Sequence, residues 1–260
     1  MNFNPFPKSL EEYNRIRYNE LEDNEAPMTF ILGAKCLDGV VMVADKKVTI
    51  ECGADFEFTD KLEGVIKHVI FGASGSSDTF ELFKGQAMDY IRTYPSGKKT
   101  MTVDNIITKL SKFVFDINKK YKFNNYFTFD VLVGIQYQYQ NSTLIHISQH
   151  GLPRPINEFR IIGTGGKYAK VFMKKIWNKD MRMEEVAELG YFIIKYIENF
   201  GLNSTVGVGH NHPEIWYIPN KYTDQERTDI HASEEQLEIF SKKTKTRLDN
   251  HSIHLKELFI

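Results

Sequence analysis

Two pairs of amphipathic helices, set between runs of short strands, constrain the fold of this chain more than any other feature. Over residues 103–121 apolar side chains recur three and four positions apart, which predicts a long helix with one buried face. Similar stripes predict helices over residues 78–92, 168–177 and 183–200. The order along the chain is therefore strands, helix pair, strands, helix pair, strands.

The strands must supply the sheets that these helices cover. Each helix pair has an apolar stripe to bury, and each run of strands has an outer face that needs covering. Two stacked sheets with a helix pair outside each sheet satisfy both needs. We therefore predict an α+β fold, a four-layer αββα sandwich, with strands at residues 29–34, 40–44, 70–73, 128–137, 143–148, 159–162, 204–209 and 214–218.

Turn and capping signals divide the chain further. Asp38-Gly39 predicts a hairpin between the first two strands, because glycine supplies the positive φ of a tight turn. A capping-box pattern at Ser9 predicts a short helix within an N-terminal extension or propeptide, residues 1–28. A second one at Ser233 begins a C-terminal helical tail, residues 221–260, so that residues 29–220 form one domain.

Composition excludes several classes of protein. With 33 basic and 34 acidic residues the net charge is -1, unlike the basic surface of a nucleic-acid-binding protein. No apolar stretch approaches the roughly 20 residues of a membrane span. Two cysteines, Cys36 and Cys52, are too few for a disulfide framework and fit a reducing compartment. We expect a soluble cytoplasmic protein without nucleic-acid or membrane partners.

Short motifs give no sign of a metal or cofactor. His210-Asn211-His212 offers two histidines, but zinc needs more ligands and none is indicated nearby. The sequence Gly163-Thr164-Gly165-Gly166 precedes a helix but lacks the lysine spacing of a phosphate-binding loop. We interpret it as a tight turn from strand to helix, and we expect neither metal nor cofactor.

The most informative stretch begins at Thr29. It lies four residues before Gly33, a D-G-V-V turn follows at residues 38–41, and residues 44–49 read A-D-K-K-V-T. This opening resembles that of the proteasome β subunits, which are N-terminal nucleophile (Ntn) hydrolases. The match continues with Asp60-Lys61, Ser74-Gly75 and the turn at residues 163–166, and the pieces at 80–83 and 163–169 also resemble HslV, the bacterial two-tier relative.

The resemblance implies a set of site residues. Thr29 would be the nucleophile, Asp45 and Lys61 its partners, and Gly75 the source of an oxyanion-binding N–H. Two further positions would support the catalytic group, namely Thr164, where a serine is common, and Asn203, where an aspartate is usual. Four positions would line the substrate channel and side-chain pocket: Val48, Thr49, Ala73 and Ser77.

The chemistry of this set is coherent. A threonine hydroxyl is a weak nucleophile and needs a nearby base. If Thr29 were the first residue, its α-amine could take the hydroxyl proton, because an α-amine has an ordinary pKa of about 7.7–8.0. Lys61 would keep the local potential positive, Asp45 would hold Lys61, and Gly75 would stabilise the tetrahedral oxyanion. Taken singly, Thr29 is more simply interpreted as an ordinary strand threonine, Asp45 and Lys61 as a structural ion pair or unrelated surface charges, and Gly75 as a turn glycine. Their joint occurrence favours the catalytic interpretation.

The resemblance thus implies a threonine-type endopeptidase that cleaves unfolded polypeptides inside a ring of like or related subunits. It leaves an unfolding ATPase open as a further partner. Met28 stands where self-processing precursors usually have glycine, and Asn203 carries no charge. These two differences favour an alternative, a catalytically inactive structural subunit that retains its extension. A related Ntn amidase or peptide ligase would use the same residues.

Overall fold

Eleven strands and five helices follow one another through the described parts of the chain. The structure is a computed structural model that describes residues 29–50, 55–66, 69–75, 77–93, 102–121, 129–136, 141–200, 211–220 and 231–258. The strands are β1 (Ile31–Lys35), β2 (Gly39–Ala44), β3 (Lys47–Ile50), β4 (Asp55–Phe58), β5 (Leu62–Ile66), β6 (Val69–Ser74), β7 (Asp130–Ile135), β8 (Thr143–Ile147), β9 (Pro153–Ile156), β10 (Phe159–Ile162) and β11 (Glu214–Pro219). The helices are α1 (Ser77–Thr93), α2 (Val103–Lys120), α3 (Gly166–Ile176), α4 (Met183–Asn199) and α5 (Glu234–Leu258).

Two antiparallel sheets form the centre of the fold. One has the strand order β10-β1-β2-β11 and the other β5-β6-β7-β8-β9, while β3 and β4 form a separate hairpin. Alternate residues of β1 show why the sheets stack. Ile31 faces the layer between the sheets, and Leu32 faces the layer beneath α3 and α4.

Each helix pair covers the outer face of one sheet. Helices α1 and α2 bury their apolar stripes on the five-stranded sheet, around Phe83 and Leu110. Helices α3 and α4 cover the four-stranded sheet, around Met173 and Ile193. The predicted four-layer αββα sandwich is therefore confirmed.

The C-terminal helix α5 packs on α4. Phe240 lies in the core beside Tyr191, and Lys243 forms an ion pair with Glu188 at 2.6 Å. The predicted capping box is present, because the Gln236 N–H donates to Ser233 Oγ at 3.2 Å and the Ser233 N–H to Gln236 Oε1 at 3.0 Å. The predicted helix near Ser9 and strand at 204–209 lie outside the described residues, and the domain boundaries remain a prediction.

Several details differ from the sequence-based expectations, and β3, β4 and β5 are strands beyond the eight that were predicted. The β1–β2 hairpin forms, but Gly39 does not have a positive φ; it is the first residue of β2. Glycine is needed there because a Cβ would overlap the Ile218 carbonyl oxygen and the Met183 sulfur. Strand β9 was not expected, since its Pro153 and Pro155 disfavour a central strand, and it lies at the sheet edge where proline is tolerated.

Candidate active site

The β1–β2 hairpin places Asp45 beside the residue that follows Thr29. The Phe30 N–H donates to Asp45 Oδ1 at 2.8 Å, and the Asp45 N–H donates to the Phe30 carbonyl oxygen at 3.1 Å. Both bonds continue the register that pairs Ile31 with Ala44. Thr29 and Asp45 are both buried. Thr29 and Asp45 are sixteen residues apart in the sequence because the β1–β2 hairpin lies between them, and its two ends are adjacent in space.

Lys61 completes a buried charge pair. Its Nζ donates to Asp45 Oδ1 at 2.6 Å and to the Lys47 carbonyl oxygen at 2.5 Å. The side chains of Lys61 and Asp45 are 6% and 0% exposed. Burial lowers the pKa of Lys61 below its ordinary value, and the Asp45 carboxylate acts in the opposite direction. The lysine is therefore held by two acceptors in a place that disfavours its charged form.

Gly163 packs directly against the backbone of Thr29. It follows β10, has a φ of 88°, and a Cβ at this position would overlap the carbonyl oxygen of Thr29. Only glycine allows both this conformation and this approach. Helix α3 begins three residues later at Gly166, so the predicted strand-to-helix turn is present. The turn brings the backbone of Thr164 into the same region of the fold.

Gly75 lies at the end of β6, directly before α1. Its φ is 150°, and a Cβ there would come within 2.7 Å of the Phe129 ring. Its carbonyl and N–H are therefore held in an orientation that a residue with a side chain would not adopt without strain. The predicted oxyanion role of this N–H remains a prediction.

The other predicted residues are placed as follows. Thr164 is half-buried, and its hydroxyl is buried without a hydrogen-bond partner in the described part of the chain. Ala73 packs with the core between the five-stranded sheet and its helices, and Ser77 is exposed at the start of α1. Two more belong to the β3–β4 hairpin, Val48 and Thr49. Asn203 lies outside the described residues.

Glu214 is a site residue that the sequence did not indicate. Its Oε2 accepts the N–H of Lys61 at 2.7 Å and that of Leu62 at 3.0 Å, while Oε1 accepts Trp216 Nε1–H at 3.1 Å. Burial raises the pKa of Glu214 to about 7. The one available signal was an acidic residue at the head of an otherwise apolar strand.

Two further properties concern metals and membranes. Within the described ranges, no three His, Cys, Asp or Glu side chains gather in a way that could hold a metal ion. His210 lies outside those ranges. No helix among the described residues combines the length and apolar character that crossing a bilayer requires.

The αββα layers, with the buried Thr29 two residues before the first strand, match the Ntn-hydrolase fold of proteasome subunits. A family model described as "Proteasome subunit" matches residues 29–204, and the chain therefore belongs to the proteasome subunit family. The family that the sequence around Thr29 resembles is thereby confirmed.

Similar solved structures agree with this fold. "Anbu (ancestral beta-subunit)" from Yersinia bercovieri aligns with a TM-score of 0.71 at 13% identity, covering 87% of this chain and 96% of that one. An Anbu (Gly-1) mutant from Hyphomicrobium sp. strain MC1 aligns with a TM-score of 0.66 at 15% identity, covering 86% and 96%. A search of curated proteins found no match.

Proposed function

We propose that this chain is a threonine-type endopeptidase that hydrolyses peptide bonds of unfolded polypeptides, with Thr29 as its N-terminal nucleophile. One observation carries the proposal. The buried Lys61–Asp45 pair shares its carboxylate with the N–H of the residue next to Thr29. Ion pairs this deeply buried contribute little net stability and are concentrated at functional sites.

The proposed reaction needs Thr29 as the first residue. Its α-amine then accepts the hydroxyl proton as the oxygen attacks the substrate carbonyl carbon, and the tetrahedral oxyanion lies against the Gly75 N–H. The amine leaving group takes a proton as the peptide bond breaks, and water hydrolyses the resulting ester. Lys61 stabilises the negative charge that develops on the threonine oxygen.

Substrate binding is proposed along β3. Because Val48 and Thr49 belong to a two-stranded hairpin, the backbone of β3 can pair with an extended peptide in the manner of an added strand. The small side chains of Ala73 and Ser77 leave room for a large substrate side chain. The hydroxyl of Thr164 and the amide of Asn203 are proposed to support the catalytic group by hydrogen bonding.

The proposal includes an assembly. Members of the family form oligomeric rings, and we propose that this chain works in a ring of like or related subunits in the cytoplasm. An unfolding ATPase is a further proposed partner, since a closed ring admits only unfolded chain.

Two observations favour a second candidate, a catalytically inactive subunit. Met28 precedes Thr29 in the sequence, and a chain that keeps Met28 has no α-amine at Thr29. Asn203 also replaces a carboxylate with an uncharged amide. A peptide ligase is distinguished by the acyl acceptor, because a ligase joins a second amine where a peptidase releases acid. An amidase is distinguished by its substrate, because it also releases acid but from an amide that is not a peptide bond of a polypeptide.

The test is cleavage of an unfolded, fluorescently labelled protein by the assembled protein and two variants. Thr29→Ala should lower kcat on the order of 10⁴-fold or more, because it removes the nucleophile. Thr246→Ala is the matched control, since Thr246 lies exposed on α5, and should cleave normally. Equal rates in all three proteins would disprove the proposal, and no cleavage in any would favour the inactive subunit.

A further inference from the structure

Glu214 lies on the strand next to the one that ends just before Asp45, the carboxylate of the buried Lys61–Asp45 pair. Strand β11 pairs Glu214 with Ala44, and β1 pairs Ile31 with the same Ala44. Paired residues of an antiparallel sheet share a face, so Glu214 points into the layer between the sheets, as Ile31 does. Asp45 is the next residue after Ala44. The carboxyl of Glu214 thus enters the layer directly beside the site.

The carboxyl connects the two sheets at this point. It accepts the N–H of Lys61 and that of Leu62, which leads into β5 of the other sheet. Lys61 directly precedes β5, and Leu62 is the first residue of that strand. In the sequence, Lys61 and Glu214 are 153 positions apart. The same backbone carries the Lys61 side chain, whose Nζ donates to Asp45. The position of the Lys61 Cα relative to Asp45 therefore depends on Glu214.

Trp216 fixes the other carboxyl oxygen. Its Nε1–H donates to Glu214 Oε1 at 3.1 Å, and its indole lies 3.5 Å from the ring of His231, centroid to centroid. A Cβ on Gly64 would overlap this indole, so β5 approaches it closely. The carboxyl therefore has a set orientation, with its two oxygens facing different elements.

We propose that Glu214 is a positioning residue for the reaction, which holds the backbone of Lys61 so that its ammonium reaches Asp45 beside Thr29. The catalytic part of this proposal rests on the proposed function. Glu214 acts through Lys61 and has no contact with substrate in it. A carboxyl that faces two backbone donors and one indole donor across a sheet interface is more costly to bury than an apolar residue, which favours a role in placement.

The first measurement does not depend on activity. Acetic anhydride acetylates Lys61 only when the structure around this buried residue opens locally. The full-length protein is treated with the reagent and then digested, and peptide mass spectrometry gives the rate of Lys61 acetylation. Glu214→Ala should raise this rate about tenfold, because two buried N–H groups lose their acceptor. Glu214→Gln keeps one acceptor oxygen and should raise it less. Glu81→Ala, an exposed residue of α1, is the control and should leave the rate unchanged.

The second measurement uses cleavage of the unfolded substrate. Glu214→Ala should lower kcat about tenfold or more with KM nearly unchanged, and Glu214→Gln should recover part of the loss. In a Lys61→Met background the same change should have no further effect on kcat, because Glu214 acts through Lys61.

Lys61 acylation and substrate cleavage together distinguish a failure of the proposed function from a failure of the positioning role of Glu214. If the unmodified protein cleaves nothing, the proposed function fails while the acylation rates still test the placement of Lys61. If Glu214→Ala does not fold, Glu214→Gln decides the question. Wild-type acylation of Lys61 in every folded Glu214 variant would overturn the proposal, and so would an equal loss of kcat in the Lys61→Met background.

Discussion

The Lys61 ammonium lies 2.6 Å from the Asp45 carboxylate, and both side chains are almost completely enclosed by the protein. Each charge loses its hydration on burial, and their mutual attraction only partly offsets that loss. The same chain has a less buried lysine–aspartate pair close by, the half-buried Lys46 with the exposed Asp60 at 2.8 Å. A comparison of the two pairs measures how burial changes the effect of losing a lysine on the free energy of unfolding.

We predict that Lys61→Met destabilises the fold by about 3–5 kcal/mol, because the variant leaves Asp45 buried without its cation. Chemical denaturation monitored by circular dichroism measures the change. The variant should also cleave the substrate on the order of 10²-fold more slowly, with a residual rate that can still be measured, when it is assayed well below its unfolding midpoint.

Lys46→Met is the matched control. Asp60 is 68% exposed, so losing this partner should cost at most about 1 kcal/mol. Equal destabilisation of the two variants would show that burial of the Lys61–Asp45 pair has no special energetic consequence.

The turn behind Thr29 gives a second prediction. Gly163→Ala should destabilise the protein by at least about 2 kcal/mol, because alanine must adopt a positive φ and its Cβ overlaps the Thr29 carbonyl oxygen. Gly85→Ala, in the middle of α1 with open space around it, should instead stabilise by about 0.5–1 kcal/mol. Thermal unfolding of both variants measures this, and a tolerated Gly163→Ala would mean that the turn does not hold Thr29.

The third prediction concerns pH. Because burial raises the pKa of Glu214 to about 7 from an ordinary 4.5, the folded state binds this proton more tightly than the unfolded state. Its contribution to stability is full below pH of about 4.5 and is lost as the pH rises through about 7, by up to about 3 kcal/mol.

Glu214→Gln removes this titration. Urea unfolding at pH 5 and pH 8 should therefore show the wild type losing more stability between the two values than the Gln variant loses. Asp60 and His231 also lie near Glu214, so the comparison with the variant isolates the contribution of Glu214. Identical losses in both proteins would contradict the assigned shift.

The packing of α5 gives a fourth prediction. Phe240→Ala should cost about 3–5 kcal/mol, since the ring is fully buried against α4. The neighbouring Ile239 is 43% exposed, and Ile239→Ala should change stability by no more than about 0.5 kcal/mol. Thermal unfolding monitored by circular dichroism compares the two variants, and a similar small effect at both positions would show that α5 is not docked on α4 in solution.

Periodic and capped elements could be predicted from the sequence. The stripe over residues 103–121 corresponds to α2, Val103–Lys120, because five of its apolar side chains are buried in one core. The hairpin at Asp38-Gly39 is also present. Its turn type was wrong because the need for glycine at position 39 arises from β11 and α4, which lie far away in the sequence.

The candidate site was less accessible to sequence reasoning. A spacing of sixteen residues between Asp45 and Lys61 has no meaning until the β3–β4 hairpin brings them together, so family resemblance and not local pattern indicated them. Glu214 carries no such signal, since the two backbone N–H groups that it accepts, those of Lys61 and Leu62, are more than 150 positions away. Tertiary contacts of this kind are set by sheet stacking, which composition and periodicity describe only in outline.

The central claim is that Thr29 becomes a free N-terminal nucleophile. The most direct measurement is the intact mass of the protein purified from its native host, before and after incubation with a peptide vinyl sulfone that traps nucleophiles covalently. We predict a chain that begins at Thr29 and gains one peptide adduct, which fragmentation locates on Thr29. A chain that retains Met28, or one that begins at Thr29 and gains no adduct, would contradict it.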